Sequence, residues 1–361
     1  MAKRLIVCCD GTWNLADPLI NTNVAKLART IRKKDTELEQ RVHYQKGVGT
    51  RRWERLRGGA FVGLSRDILD AYRFLVDTYE PGDQLYLFGF SRGASAARSL
   101  SGLLRCSGLL HRKQAHRIPE AWALYRSRVE RPFWLAPTLF RRAYTHEAEI
   151  DFIGVWDTVG DLGIPTIAAP RSLSSAIAVQ VNRQSAYHDN VLSSIVKGAF
   201  QALAIDERRA QYPPALWLQQ PGAAENGQEL KQVWFTGTHG DIGGGYAETA
   251  LSDITLLWMI DQATRYGLEF DTEALDGSGP RITSSGTRLD FTIRPDPMGP
   301  VHDSRTGVSK TTRPLDRRIG QRFGYDGHTK TCEYVSETAK QRRDSNRGYR
   351  PPGLEMYLAA N

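Results

Sequence analysis

The chain has 361 residues, 40% of them hydrophobic and 24% charged, and carries a net charge of +8. That balance excludes disorder throughout and supplies ample apolar material for a packed core. The basic excess favours anionic partners such as lipid headgroups, but it falls in scattered clusters (Arg32-Lys33-Lys34, Arg51-Arg52, Arg141-Arg142, Arg342-Arg343) without the aromatic alternation that stacks bases, so no nucleic acid is expected as a partner.

In chain order, "RLIVCCDGT" (4–12) reads as a buried strand ending at a polar turn. Its five apolar residues before Asp10 are too few for a signal-peptide core, and no later stretch approaches ~18 apolar residues. A cytoplasmic location is therefore expected, and export by a signal-less route is compatible with it. A helix is expected from Asp67 to Thr78. The strand "DQLYLFGFSRG" (83–93) then runs into a helix from Ala94 to Leu104. Residues 107–148, rich in arginine, tryptophan and tyrosine, read as a helical insertion that could cap the sheet or meet lipid. "IDFIGVWDTVG" (150–160) is the next strand, followed by a second insertion at 162–191, a helix from Leu192 to Ala204, the strand within "KQVWFTGTHGDIGGGY" (231–246) and a helix from Ser252 to Thr264. "LDFTIRP" (289–295) is the last candidate strand. Residues 336–361 open on a polar, basic run and read as a loosely held tail.

Strands alternating with helices imply an α/β fold with a mostly parallel, doubly wound sheet. We expect one α/β domain over 1–335, with its chemistry beyond the carboxyl ends of the strands. Cys8, Cys9, Cys106 and Cys332 form no C-x-x-C pair, which suits a reducing compartment. There is no Gly-x-x-x-x-Gly-Lys-Ser/Thr loop and no His-Glu-x-x-His, so neither a cofactor nor a metal is expected.

The sharpest local signal is Gly89-Phe90-Ser91-Arg92-Gly93. Gly-x-Ser-x-Gly gains meaning when a strand precedes it and a helix follows, because the bend then exposes the hydroxyl and directs the next amide, here that of Arg92, at a developing oxyanion. Ser91 is the expected nucleophile. A second oxyanion donor is expected from Gly11 or Thr12 at the end of the first strand, with Asp10 anchoring that loop. A serine needs an imidazole to take its proton and a carboxylate to hold that imidazole. The order Ser, acid, His favours His302, late in a Gly-Pro loop, with His239 as the rival. Asp157 is the expected acid and Asp241 the alternative, the other organising the pocket beside Gly243-Gly244-Gly245. Asp10-Gly11-Thr12 after a strand also suggests an aspartyl phosphatase, but Cys8 occupies the position that would carry the nucleophilic aspartate.

Together "DGTWN", "GFSRGA" followed by "ARSLSGLL", "FIGVWDTVG", "QALAIDERR" with "PALW", "VWFTGTHGDIGGGY" and "LSDITLLWM" resemble the uncharacterised α/β-hydrolase family that includes phospholipase effectors of the type VI secretion system. The resemblance implies a Ser-Asp-His esterase or phospholipase of the A type, supporting Ser91, Asp157 and His302 by position, with an ester or lipid as substrate and an anionic membrane surface as a partner. The competing expectation is a catalytically silent scaffold that binds a partner or membrane through its basic, aromatic insertion.

Overall fold

A computed structural model describes residues 2–11, 21–47, 59–127, 133–159, 190–210, 212–284, 286–305, 310, 314–320 and 327–360. Seven strands share one sheet: β1 (Lys3–Cys9), β2 (Glu39–Gln45), β3 (Gln84–Phe90), β4 (Ile150–Trp156), β5 (Val196–Ala204), β6 (Glu229–Phe235) and β7 (Glu333–Val335). They lie in the order β7-β6-β5-β4-β3-β1-β2, every neighbouring pair parallel. Parallel neighbours need crossover connections, which put helices on both faces.

The strand sequences obey that geometry. Leu5, Val7, Leu85, Leu87, Ile153 and Val155 pack with helices α2 (Gly59–Thr78) and α3 (Arg92–Ser107) on one face. Their chain neighbours Ile6, Cys8, Tyr86, Phe88, Phe152 and Trp156 point to the other face, with α1 (Asn23–Thr30) and the later helix Ala250–Arg265. Successive strand residues face opposite ways, so strands buried on both faces read as continuous apolar runs. The chain enters at β1, steps out to β2, then returns past β1 to β3 and onward. That reversal opens a crevice at the carboxyl ends of β1 and β3, where Asp10 and Ser91 follow the last strand residues. The architecture is an α/β-hydrolase-like fold.

The structure departs from the sequence reading in three segments. Leu192 to Ala204, expected as a helix, contains β5, whose residues 198–204 are all buried. An apolar run buried on both faces carries no period that separates strand from helix. "LDFTIRP" contributes only its first residue, Leu289, to a strand, the two-residue Arg288–Leu289 paired with Arg281–Ile282 outside the main sheet. Residues 336–361, expected as a loose tail, hold two packed helices, Glu337–Ser345 and Pro352–Ala360, directly after β7. Val335, Ala339 and Leu354 pack with Leu203 and Trp234, and the buried Arg342 donates to the carbonyls of Pro297 and Gly299.

The insertion at 107–148 contains helices α4 (Ile118–Arg126) and α5 (Leu135–Tyr144). Ser107 Oγ donates to the Ala121 carbonyl, and Arg141 to the Cys106 carbonyl. These contacts seat the insertion at the carboxyl end of α3, whereas Ser91 stands at its amino end. The insertion expected at 162–191 lies outside the described residues except at its last two positions. No helix among the described residues is long and apolar enough to cross a membrane.

Candidate active site

Ser91 follows β3 and caps α3 with φ 56° and ψ −117°. A non-glycine residue rarely occupies that region, and such strain persists only where the surroundings enforce it. Here the flanking glycines permit the bend. A Cβ on Gly89 would stand 2.3 Å from the Gly93 carbonyl oxygen, and one on Gly93 would stand 2.0 Å from that of Cys9. The helix therefore starts against the ends of β1 and β3 only because both positions lack side chains. The Ser91 amide donates to the Trp156 carbonyl at 3.1 Å, tying the bend to the end of β4.

The next residue after Trp156 is Asp157, also at positive φ, 38°. Its carboxylate is fully buried. Oδ2 is 2.7 Å from His239 Nδ1 and accepts from Arg317 Nη2 at 3.1 Å, while Oδ1 accepts from Arg317 Nη1 at 2.5 Å and from the Ala204 amide at 3.0 Å. Burial pushes this carboxyl up, but the Arg317 guanidinium and His239 outweigh it and hold Asp157 well below the usual carboxylate range.

His239 opens a short helix, α6 (His239–Gly243), capped by Thr238. Asp241 completes the box by accepting from the Thr238 amide at 2.9 Å. The His239 ring lies between Phe90, at 4.7 Å between centroids, and Tyr212, at 5.0 Å. Phe90 is the residue before Ser91, so the imidazole borders the serine bend. Gly243 leaves room for that same ring, since a Cβ there would meet Phe90 at 2.0 Å. Glu207, buried, accepts from the His239 amide, from the Arg209 backbone and side chain, and from Ser304 Oγ.

His302 belongs to a second pair. Its Nδ1 is 2.6 Å from Asp241 Oδ1, its Nε2 is 3.2 Å from Glu248 Oε2, and its ring stacks on Tyr246 at 3.9 Å. Burial pulls this imidazole down, but Asp241 and Glu248 more than offset it, so its pKa is raised.

The constellation expected from sequence joined Ser91, Asp157 and His302. The structure joins Asp157 to His239 and His302 to Asp241: Asp157 follows the end of β4 and His239 the turn after β6, with β5 between those strands, while the 294–305 loop brings His302 to Asp241 on α6. Asp10 accepts from the Gly11 amide at 2.6 Å, Thr22 Oγ1 at 2.7 Å and Tyr44 OH at 2.6 Å. Gly11, expected as an oxyanion donor, thus turns its amide to Asp10; Thr12 lies outside the described residues. Arg92 is the first residue of α3, whose opening amides have no partner within the helix. Glu207, Arg317 and Tyr212 were not singled out from sequence. "AIDERR" carries no signal beyond its part in a wider pattern of motifs, and nothing local marks Arg317.

Residues 3–262 match the family described as T6SS, Phospholipase effector Tle1-like, catalytic domain. The chain belongs to this family. The Saccharomyces cerevisiae protein titled Uncharacterized protein YEL023C is 29% identical over 236 residues, covering 58% of this chain and 32% of that protein. A crystal structure of an uncharacterized protein from Pseudomonas aeruginosa aligns at TM-score 0.42 and 17% identity, over 74% of this chain and 46% of the other. The Tle1 effector bound to the VgrG spike aligns at TM-score 0.38 and 21% identity, over 69% and 52%. The chain thus spans 32% of the yeast relative and 46% and 52% of the two solved chains.

Proposed function

We propose that the protein is a serine hydrolase that cleaves carboxylic esters of lipids through an acyl-enzyme, with Ser91 as nucleophile, His239 as base and Asp157 as the carboxylate behind it. The observation that carries this reading is the 2.7 Å contact between Asp157 Oδ2 and His239 Nδ1, beside a strained serine whose preceding residue, Phe90, packs on the His239 ring. A base that receives the serine proton needs one ring nitrogen to do so. Both nitrogens of His302 face carboxylates, whereas Asp157 engages His239 at Nδ1.

Ser91 Oγ attacks the ester carbonyl as His239 Nε2 takes its proton, and Asp157 fixes the Nδ1–H tautomer and stabilises the imidazolium. The amide of Arg92, at the start of α3, is directed at the oxyanion. Collapse expels the alcohol, which receives the proton from His239. Water, deprotonated by the same ring, then releases the fatty acid and frees Ser91.

A lipid ester is the substrate class that family membership supports, and the basic surface suits anionic vesicles. The test is a fluorophosphonate probe, with the adduct located by mass spectrometry, alongside an acyl-ester panel from short-chain esters to phospholipid vesicles. Labelling at Ser91 and turnover lost in Ser91→Ala are expected. Folded protein that is neither labelled nor active on any acyl ester overturns the reading.

A further inference from the structure

Asp157 is held by more than the histidine it faces. Arg317, with only 3% of its side chain exposed, sets its two terminal nitrogens on the two oxygens of the carboxylate. The same fork reaches two backbone carbonyls, Ala204 from Nη1 at 3.0 Å and Tyr212 from Nη2 at 2.8 Å. Ala204 returns a bond to Asp157 through its amide, and the Tyr212 ring packs on His239. One guanidinium therefore fixes the acid, the strand end beside it and the ring that walls the base. Only a planar five-donor group can meet both carboxylate oxygens and both carbonyls at once.

Charge sharpens the point. A fully buried carboxylate facing only an imidazole is stabilised by drawing a proton onto that imidazole, which leaves a resting ion pair with no base in it. A cation already on the carboxylate removes that pull. The other charged and titratable groups around His239 are committed elsewhere. Glu207 accepts its amide but is locked to Arg209, Arg209 lies over Tyr212, and Asp241 on the same helix is bound to Thr238 and His302. Tyr246 stacks on His302. Arg317 is the cation on Asp157 itself.

We propose that Arg317 is a positioning residue for ester hydrolysis: it holds Asp157 square to His239 and compensates its charge while the imidazole is still unprotonated. This rests on the Ser91–His239–Asp157 reading. Arg317 lies beyond residues 3–262, the part of the chain matched to the family, so the device is read from this chain's own structure.

The experiment compares wild type with Arg317→Met and Arg317→Lys, following kcat/KM against pH on an ester the wild type cleaves and the His239 ring by NMR titration. Arg317→Met removes the charge. Its acid limb and the ring titration should both move up by about one pH unit or more, because the imidazolium then meets an uncompensated carboxylate. Arg317→Lys keeps the charge and loses the fork, so its acid limb should stay near that of wild type while kcat falls about tenfold or more. A folded Arg317→Met whose limb and ring titration match wild type overturns the proposal. If that variant does not fold, Arg317→Lys decides, and wild-type kcat in it overturns the proposal equally. The ring titration needs no turnover, so an Arg317 effect on His239 in a protein whose Ser91→Ala variant keeps activity would sink the catalytic reading and, with it, the assignment of Arg317 to the reaction.

Discussion

Phe90 and His239 lie ring against ring at 4.7 Å, although 149 positions separate them in the chain. Phe90 ends β3 and His239 follows β6, so the contact crosses the carboxyl edge of the sheet from the serine bend to the capped turn of α6. Substitution should distinguish the two histidines. With His239 as the base, His239→Ala lowers kcat by on the order of 10³-fold or more, while His302→Ala leaves it within about tenfold of wild type. Parallel kinetics on one ester, with circular dichroism to establish folding, measure this. The reverse ranking would assign the base to His302.

The strand, serine and helix around residue 91 are legible because the signal is local: two glycines, an apolar run before them and small residues after. Which imidazole meets which carboxylate is not. Asp157 and His239 are 82 residues apart, and chain order alone favours His302. Their pairing depends on β4, β5 and β6 lying side by side, and β5 itself reads as a helix because its buried run lacks a period. Arg317 had no signal for the same reason, since its fork is recognisable only once Asp157, Ala204 and Tyr212 converge. The family match does not decide between the two histidines.

Arg317 and Asp157 are both buried, so removing one partner leaves the other uncompensated. Asp157→Ala is expected to cost about 3–5 kcal/mol of stability, the cost of breaking a buried pair. The double variant Asp157→Ala with Arg317→Met should lose less than the sum of the two single losses, because no buried charge remains. Urea unfolding of the four proteins checks this. Additive losses would mean that the two side chains contribute independently.

Gly93 stands where a Cβ would lie 2.0 Å from the Cys9 carbonyl and 2.7 Å from that of Asp10. Both are backbone atoms at the end of a central strand and cannot move aside as a flexible side chain can. Gly93→Ala should therefore destabilise by about 3 kcal/mol and displace the serine bend, lowering probe labelling of Ser91 even in the folded fraction. Thermal unfolding and labelling rate together test it, and unchanged values in both would mean that the helix start can shift at little cost.

His302 gives a pH dependence of stability with a definite sign. Its pKa is raised from the ordinary 6.5 by Asp241 and Glu248 against the opposing effect of burial. A group whose folded value lies above its unfolded value stabilises fully below the unfolded value, and loses that contribution as pH rises through the folded one. The wild type should therefore lose stability from about pH 6.5 upward through that window, whereas His302→Gln, which cannot carry the charge, should show a shallower decline. Urea midpoints at about pH 5.5, below the ordinary histidine value, and at about pH 7 and 8.5, above it, measure the slope. Parallel profiles for the two proteins would mean that the Asp241–His302 contact does not depend on the imidazole's charge.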